Sequence, residues 1–208
     1  MVKYFNQAKF NDFVIKSGII GFFKEPIKLK SGRMSNWYVN WRNVSEDVGG
    51  IDKLSDFVTG FIKAHKLKPD CIYGVPEGAT KLGIITQYKW TKMQPDYSEK
   101  KYVLPMGRGK IKGHGDPKDR YFVGVPSGNV VVLEDVTTTG GSLINTLKSL
   151  MLLRGVKVIA AIGLTNRNKV RDDGKSVGGA IAEIGAKYYS MSNASELLPL
   201  LIKTTKTD

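Results

Sequence analysis

Residues 130–142 read VVVLEDVTTTGGS and concentrate the chemistry-bearing side chains of this chain. An apolar run, Val130–Leu133, is followed by two adjacent carboxylates, Glu134 and Asp135, and then by Thr137, Thr138, Thr139, Gly140, Gly141 and Ser142. Glycine lets backbone come close to a ligand, hydroxyls donate hydrogen bonds, and a helix opening behind them turns its positive end toward an anion, so the loop is suited to a monophosphate. Two carboxylates beside that loop would repel the phosphate unless a sugar lies between them. A five-carbon sugar with a 5-phosphate meets the condition, with its phosphate in the loop and its paired hydroxyls on Glu134 and Asp135. The acids can also offset positive charge developing on a ribose ring. The segment is not a nucleoside triphosphate loop, which needs Lys after its last Gly where Ser142 stands here, and G-x-G-x-x-G does not occur.

A second group lies at GRGKIKGHGDPKDR, residues 107–120, where glycines and basic residues surround His114 and apolar residues are nearly absent. Such a stretch predicts a long, exposed, flexible loop over 107–121. His114, between Gly113 and Gly115, is not placed as a core histidine; His65, near a helix end, reads as a surface residue.

Apolar spacing predicts the elements that position these groups. Helices are expected over 6–18, 51–65, 78–90, 141–155 and 176–185, with a helical turn over 194–201. Extended segments are expected at 26–33 and 36–41, and strands at 70–75, 101–106, 129–136, 156–166 and 186–192. Strands alternating with helices, and apolar strands without a polar face, specify an α/β fold with a mainly parallel sheet covered on both sides. Glu134 and Asp135 then leave the carboxyl end of a central strand, where open α/β sheets bind ligands.

Composition sets the outer bounds. At 208 residues, 41% hydrophobic and 25% charged, the chain has the make-up of one ordinary globular domain. Its formal charge of +13 favours anionic partners, but the basic residues are spread along the chain. The lone Cys71 lies in an apolar stretch and reads as a small buried thiol. No apolar run approaches a membrane span, and a cytoplasmic protein without a membrane partner is expected.

The stretch 130–142 resembles the phosphoribosyl pyrophosphate (PRPP) signature of type I phosphoribosyltransferases. LKSGRMSNWYVN (29–40), RGKIKGHGD (108–116) and TNRNK (165–169) resemble, in order, the N-terminal signature, the catalytic loop and the base-binding strand end of the orotate phosphoribosyltransferases within that class. The resemblance implies one unit over 1–208, with a small N-terminal hood (1–45) on an α/β core (46–208). It implies transfer of the phosphoribosyl group of PRPP to orotate in pyrimidine (UMP) biosynthesis, with Mg2+ held mainly by PRPP and water, and a homodimer whose loop reaches the partner's site. Lys112 and His114 match the family's catalytic loop residues, with Asp135 as the carboxylate beside the reacting ribose. Arg108 and Lys110 are neighbouring basic positions, Arg167 takes the orotate carboxylate, Lys30 lies near orotate and pyrophosphate, and Tyr38 faces the ring. Gly109, Val39, and Glu77 with Gly78 depart from the family, which often has a lysine, an aromatic and a lysine there. Gly74, Pro76 and Gly78 serve either the turn or pyrophosphate, Arg33 either structure or substrate, and Trp37 and Trp41 are expected to pack.

Two other readings compete: a phosphoribosyltransferase for another base, such as uracil or hypoxanthine, and a noncatalytic PRPP or nucleotide sensor whose basic surface binds nucleic acid. The matches at Lys30, Arg167 and the loop speak against the first. A sensor has no need of Lys112 and His114, and nucleic acid is not the expected partner.

Overall fold

A computed structural model describes residues 4–110, 112–114 and 120–204. In chain order the elements are α1 (Gln7–Lys16), β1 (Ile20–Lys28), β2 (Met34–Val39), α2 (Arg42–Ser45), α3 (Val48–Ala64), β3 (Cys71–Gly74), α4 (Thr80–Lys92), β4 (Met106–Gly107), β5 (Phe122–Val123), β6 (Gly128–Thr137), α5 (Gly141–Met151), β7 (Val156–Asn166), α6 (Val177–Glu183), β8 (Tyr188–Asn193) and α7 (Ala194–Thr204). The main sheet has the order β3-β6-β7-β8, all parallel.

The apolar run of β6 is divided between two cores. Val131 and Leu133 pack with α1, α3 and α4 through Phe10, Leu54, Val58, Ile62 and Leu82. Val130 and Val132 face the other way, onto Leu143, Leu147 and Ile181 of α5 and α6. Burial on both faces is what a strand without a polar side requires.

The segment before α3 joins the first core. Trp41 is buried, stacks on Phe10 at 6.0 Å and donates through Nε1 to Thr165 Oγ1 at 3.0 Å. Thr165 is also 3.1 Å from Ser192, whose hydroxyl donates to the Leu164 carbonyl. The indole is thus buried with its one polar atom satisfied.

Two expectations are corrected. Residues 101–106 do not form a strand: only Met106 pairs, opposite Val123. Pro105 has no N–H for a ladder, and the Val103 carbonyl accepts from the side chain of Gln87 at 2.8 Å. The first extended segment starts earlier than 26, because β1 runs from Ile20 and pairs antiparallel with β2 around an irregularity between Phe22 and Ile27. The rest of the hairpin is closed by Leu29 N–H donating to the Arg33 carbonyl at 2.8 Å.

Beyond β4 and β5, the arms of the basic loop stay paired: Arg108 N–H donates to the Tyr121 carbonyl and Lys112 N–H to the Arg120 carbonyl, each at 3.0 Å. Of the loop expected over 107–121, positions 111 and 115–119 lie outside the described residues.

Candidate active site

A cleft of about 280 Å³ opens at the carboxyl ends of β3, β6 and β7. The hairpin of β1 and β2 and the short helix α2 wall its other side through Lys30, Tyr38 and Arg42. Of the residues singled out from the sequence, Lys30, Tyr38, Glu134, Asp135, Thr138, Thr139, Gly140, Gly141, Ser142 and Arg167 meet here.

The two acids are not equivalent. Glu134 is 7% exposed, and burial first, then the charge of and a hydrogen bond with Asp135, push its carboxyl up to about 9; nearby Lys30 acts in the opposite sense. At neutral pH Glu134 therefore carries a proton. The two acids expected to meet ribose hydroxyls thus differ in setting, with the neutral form favoured at Glu134 by burial. Asp135 is half-buried and its Oδ1 accepts from the Val136 N–H at 2.8 Å. Its other side lies against Gly78, where a β-carbon would fall within 2.8 Å of both carboxylate oxygens. Gly78 is therefore needed for the close approach of the loop after β3 to Asp135.

Of the loop expected to cradle a phosphate, Thr138 to Ser142 line the cleft and Thr137 does not. Gly140 has φ +72°, a conformation that favours glycine, and precedes α5, whose start has no side-chain cap. The first N–H groups of a helix have no intrahelical partner, and here Gly140, Gly141 and Ser142 line the cleft, so those donors and the positive helix end are available to an anion. Thr137 is the exception: it is 1% exposed and its hydroxyl lies 2.6 Å from that of Tyr188. Alternation along β6 breaks at the acidic pair, since Leu133 and Val136 pack toward the same core although three residues apart. Thr137 is left facing Tyr188 on the opposite side of the sheet.

Arg167, at the end of β7, is 3% exposed. Its guanidinium lies 3.9 Å from the Trp37 ring centroid and donates through Nη2 to Ser35 Oγ at 2.6 Å and the Trp37 carbonyl at 3.0 Å. Its Nε is buried without a hydrogen-bond partner, and an unsatisfied buried donor costs about 1–3 kcal/mol. Burial lowers the pKa of Arg167, yet a guanidinium remains protonated. A planar cation with an unused donor at the cleft wall suits a ligand carboxylate. Trp41 packs as expected, Trp37 covers Arg167, and Arg33 pairs with Asp172 at 2.6 Å.

Arg108, Lys110, Lys112 and His114 do not line this cleft. The base of their loop touches its rim, where Gly109 packs against the Glu77 carboxylate. Gly109 and Glu77 are thus neighbours, and a side chain at 109 would have to push the Glu77 carboxylate aside. Two residues at the site escaped the sequence reading: Arg42, on a helix too short to leave a periodic signal, and Arg171, which donates to the Thr139 carbonyl at 2.5 Å.

The four-stranded parallel sheet, the hood hairpin and a cleft with an acidic pair before a helix start define a type I phosphoribosyltransferase fold. Solved structures agree: Leishmania donovani UMP synthase superposes with TM-score 0.73 at 18% identity, over 97% of this chain and 39% of that one. Orotate phosphoribosyltransferase from Aeropyrum pernix superposes with TM-score 0.67 at 23% identity, over 92% and 97%. The chain thus spans well under half of the Leishmania protein. No protein-family model matches. Among sequence relatives, the orotate phosphoribosyltransferase of Bradyrhizobium diazoefficiens is 30% identical over 184 residues, covering 85% of this chain and 89% of the relative. The chain belongs to the orotate phosphoribosyltransferase family.

Proposed function

We propose that the chain transfers the 5-phosphoribosyl group of PRPP to orotate, giving orotidine 5-monophosphate and pyrophosphate in pyrimidine biosynthesis. The observation that carries this reading is one cleft holding an uncapped helix start, an acidic pair of which Glu134 is buried, and a buried guanidinium with an unused donor. The 5-phosphate takes the start of α5, Thr138, Thr139 and Ser142. The ribose hydroxyls donate to Asp135, which also offsets the positive charge that builds on the ring as pyrophosphate leaves. A protonated Glu134 keeps the net charge of the pair at one, so the phosphates are not repelled by two. Arg167 receives the orotate carboxylate, with Tyr38 at the ring and Lys30 between orotate and pyrophosphate.

Magnesium fits as a passenger of the substrate. The described residues include no group of three His, Cys, Asp or Glu side chains placed to hold a metal ion, while Asp135 and Glu77 offer carboxylates at the cleft. The ion would keep most of its ligands from PRPP and water, as its reluctance to dehydrate favours, and would neutralise pyrophosphate charge.

Further cations are on the loop. Lys112 and His114 belong, in this reading, to the site of a second subunit, which their position away from this cleft supports; the protein is then a homodimer. We include a cytoplasmic location, in keeping with the free, buried thiol of Cys71.

The test follows orotate ultraviolet absorbance on mixing protein, PRPP and Mg2+, with uracil and hypoxanthine in parallel. PRPP-dependent loss of orotate absorbance alone is expected. Consumption of another base instead would retain the PRPP site and discard the role of Arg167; no reaction with any base would discard the enzyme.

A further inference from the structure

Four residues beyond Arg167, the chain makes a tight turn. Arg171 N–H donates to the Lys175 carbonyl at 2.9 Å, Gly174 N–H donates to the Arg171 carbonyl at 3.0 Å, and Gly174 has φ +77°. The turn is fixed from three directions. Asp173 accepts from the Lys175 N–H at 3.1 Å, Lys175 pairs with Glu183 of α6 at 2.6 Å, and Asp172 pairs with Arg33 of the hairpin at 2.6 Å. From this frame Arg171 projects toward the phosphate cradle. Its Nε donates to both Asp173 carboxylate oxygens, at 3.2 and 3.3 Å, which leaves Nη1 to donate to the Thr139 carbonyl at 2.5 Å.

That carbonyl belongs to the peptide joining Thr139 to Gly140. In a planar trans peptide the C=O and the following N–H point in opposite directions, so a carbonyl drawn to Arg171 turns the Gly140 N–H away from it. Glycine tolerates both signs of φ, and the peptide before Gly140 could otherwise rotate at little cost. A flipped peptide would present a carbonyl where the cradle needs a donor, and its partial negative charge would face the phosphate. The cradle has no side-chain cap to prevent this.

We propose that Arg171 is a positioning residue for the phosphate end of PRPP: by holding the Thr139 carbonyl it fixes the Thr139–Gly140 peptide with its N–H available to the 5-phosphate. Arg171 is not among the residues lining the cleft, so its effect passes through the backbone of the cradle. The inference rests on the reading of this loop as the seat of the 5-phosphate and adds the device that keeps the loop competent.

The experiment uses two probes for the two ends of the substrate. Ribose 5-phosphate and pyrophosphate, each with Mg2+, are titrated calorimetrically into the wild-type protein, Arg171→Ala and Arg171→Lys, with thermal unfolding of each. Arg171→Ala is expected to weaken ribose 5-phosphate by about tenfold, the loss of one hydrogen bond to a charged group. Pyrophosphate affinity and the unfolding midpoint should hold, and Arg171→Lys should recover part of the loss because an ammonium can still donate to the carbonyl. In turnover, KM for PRPP should rise while kcat stays within a few-fold. Equal ribose 5-phosphate affinity in Arg171→Ala would overturn the proposal, as would a parallel fall in pyrophosphate affinity and unfolding midpoint, which would mark a structural role only. A wild-type protein that fails to bind ribose 5-phosphate would instead remove the cradle reading, and this inference with it.

Discussion

The Asp135 carboxylate rests against Gly78 so closely that a β-carbon at 78 would come within 2.8 Å of both its oxygens. The loop after β3 and the acid at the end of β6 are therefore parts of one construction. The space that a side chain at 78 would need is taken by the Asp135 carboxylate.

Gly78→Ala should displace Asp135 and leave the cores described above untouched. Overpacking costs about 1–3 kcal/mol where the clash cannot relax, and at this position Asp135 can give way. The expected result is a rise in KM for PRPP of about tenfold or more, with a near-normal urea midpoint. Unchanged KM would show that Asp135 does not hold the ribose.

Glu134 and Asp135 should respond differently to loss of charge. Glu134→Gln replaces a neutral acid with a neutral amide and should keep turnover within about tenfold of wild type, the scale of one neutral hydrogen bond. Asp135→Asn removes the counter-charge to the ribose cation and should cost about a hundredfold or more. Steady-state rates of the two variants decide this, and the reverse order would exchange their roles.

Stability should carry the signature of Glu134. Its carboxyl sits at about 9 in the folded chain against an ordinary 4.5. A group raised on folding contributes its full stability below the unfolded value and loses it as pH climbs through the folded one. The substrate-free wild type should therefore lose stability relative to Glu134→Gln between about pH 4.5 and about pH 9. Urea midpoints across that range give the difference curve; a flat one would mean that Glu134 ionises normally.

Lys112→Ala should lower turnover by about two to three orders of magnitude with PRPP affinity nearly unchanged. A mixing experiment tests where the loop acts. If loops cross between subunits, a hybrid of Lys112→Ala and Asp135→Asn chains contains one intact site and recovers activity. If each loop serves its own subunit, the hybrid stays inactive.

Much of this was legible in the sequence because the informative residues are local. β7 occupies the span its apolar run predicts, Val156–Asn166, and the acidic pair, the Gly140 turn and Arg167 all reach one cleft. What escaped depends on tertiary geometry. The protonation of Glu134 follows from burial, which no local pattern states. The diversion of Thr137 to Tyr188 follows from a break in alternation set by neighbouring strands. Residues 101–106 have the composition of a strand, but Pro105 and the amide of Gln87 take them out of any ladder. The pairings of Arg171 with Thr139 and of Asp172 with Arg33 join segments far apart in the chain.

The seat of Arg167 limits how this chain could change its choice of base. The guanidinium satisfies the Ser35 hydroxyl and the Trp37 carbonyl and lies beneath the Trp37 ring. Replacing it with a neutral residue would remove the cation proposed to meet the carboxylate and also leave the Ser35 hydroxyl and the Trp37 carbonyl without this donor. A descendant turning to a base without a carboxylate would have to alter positions 35, 37 and 167 together.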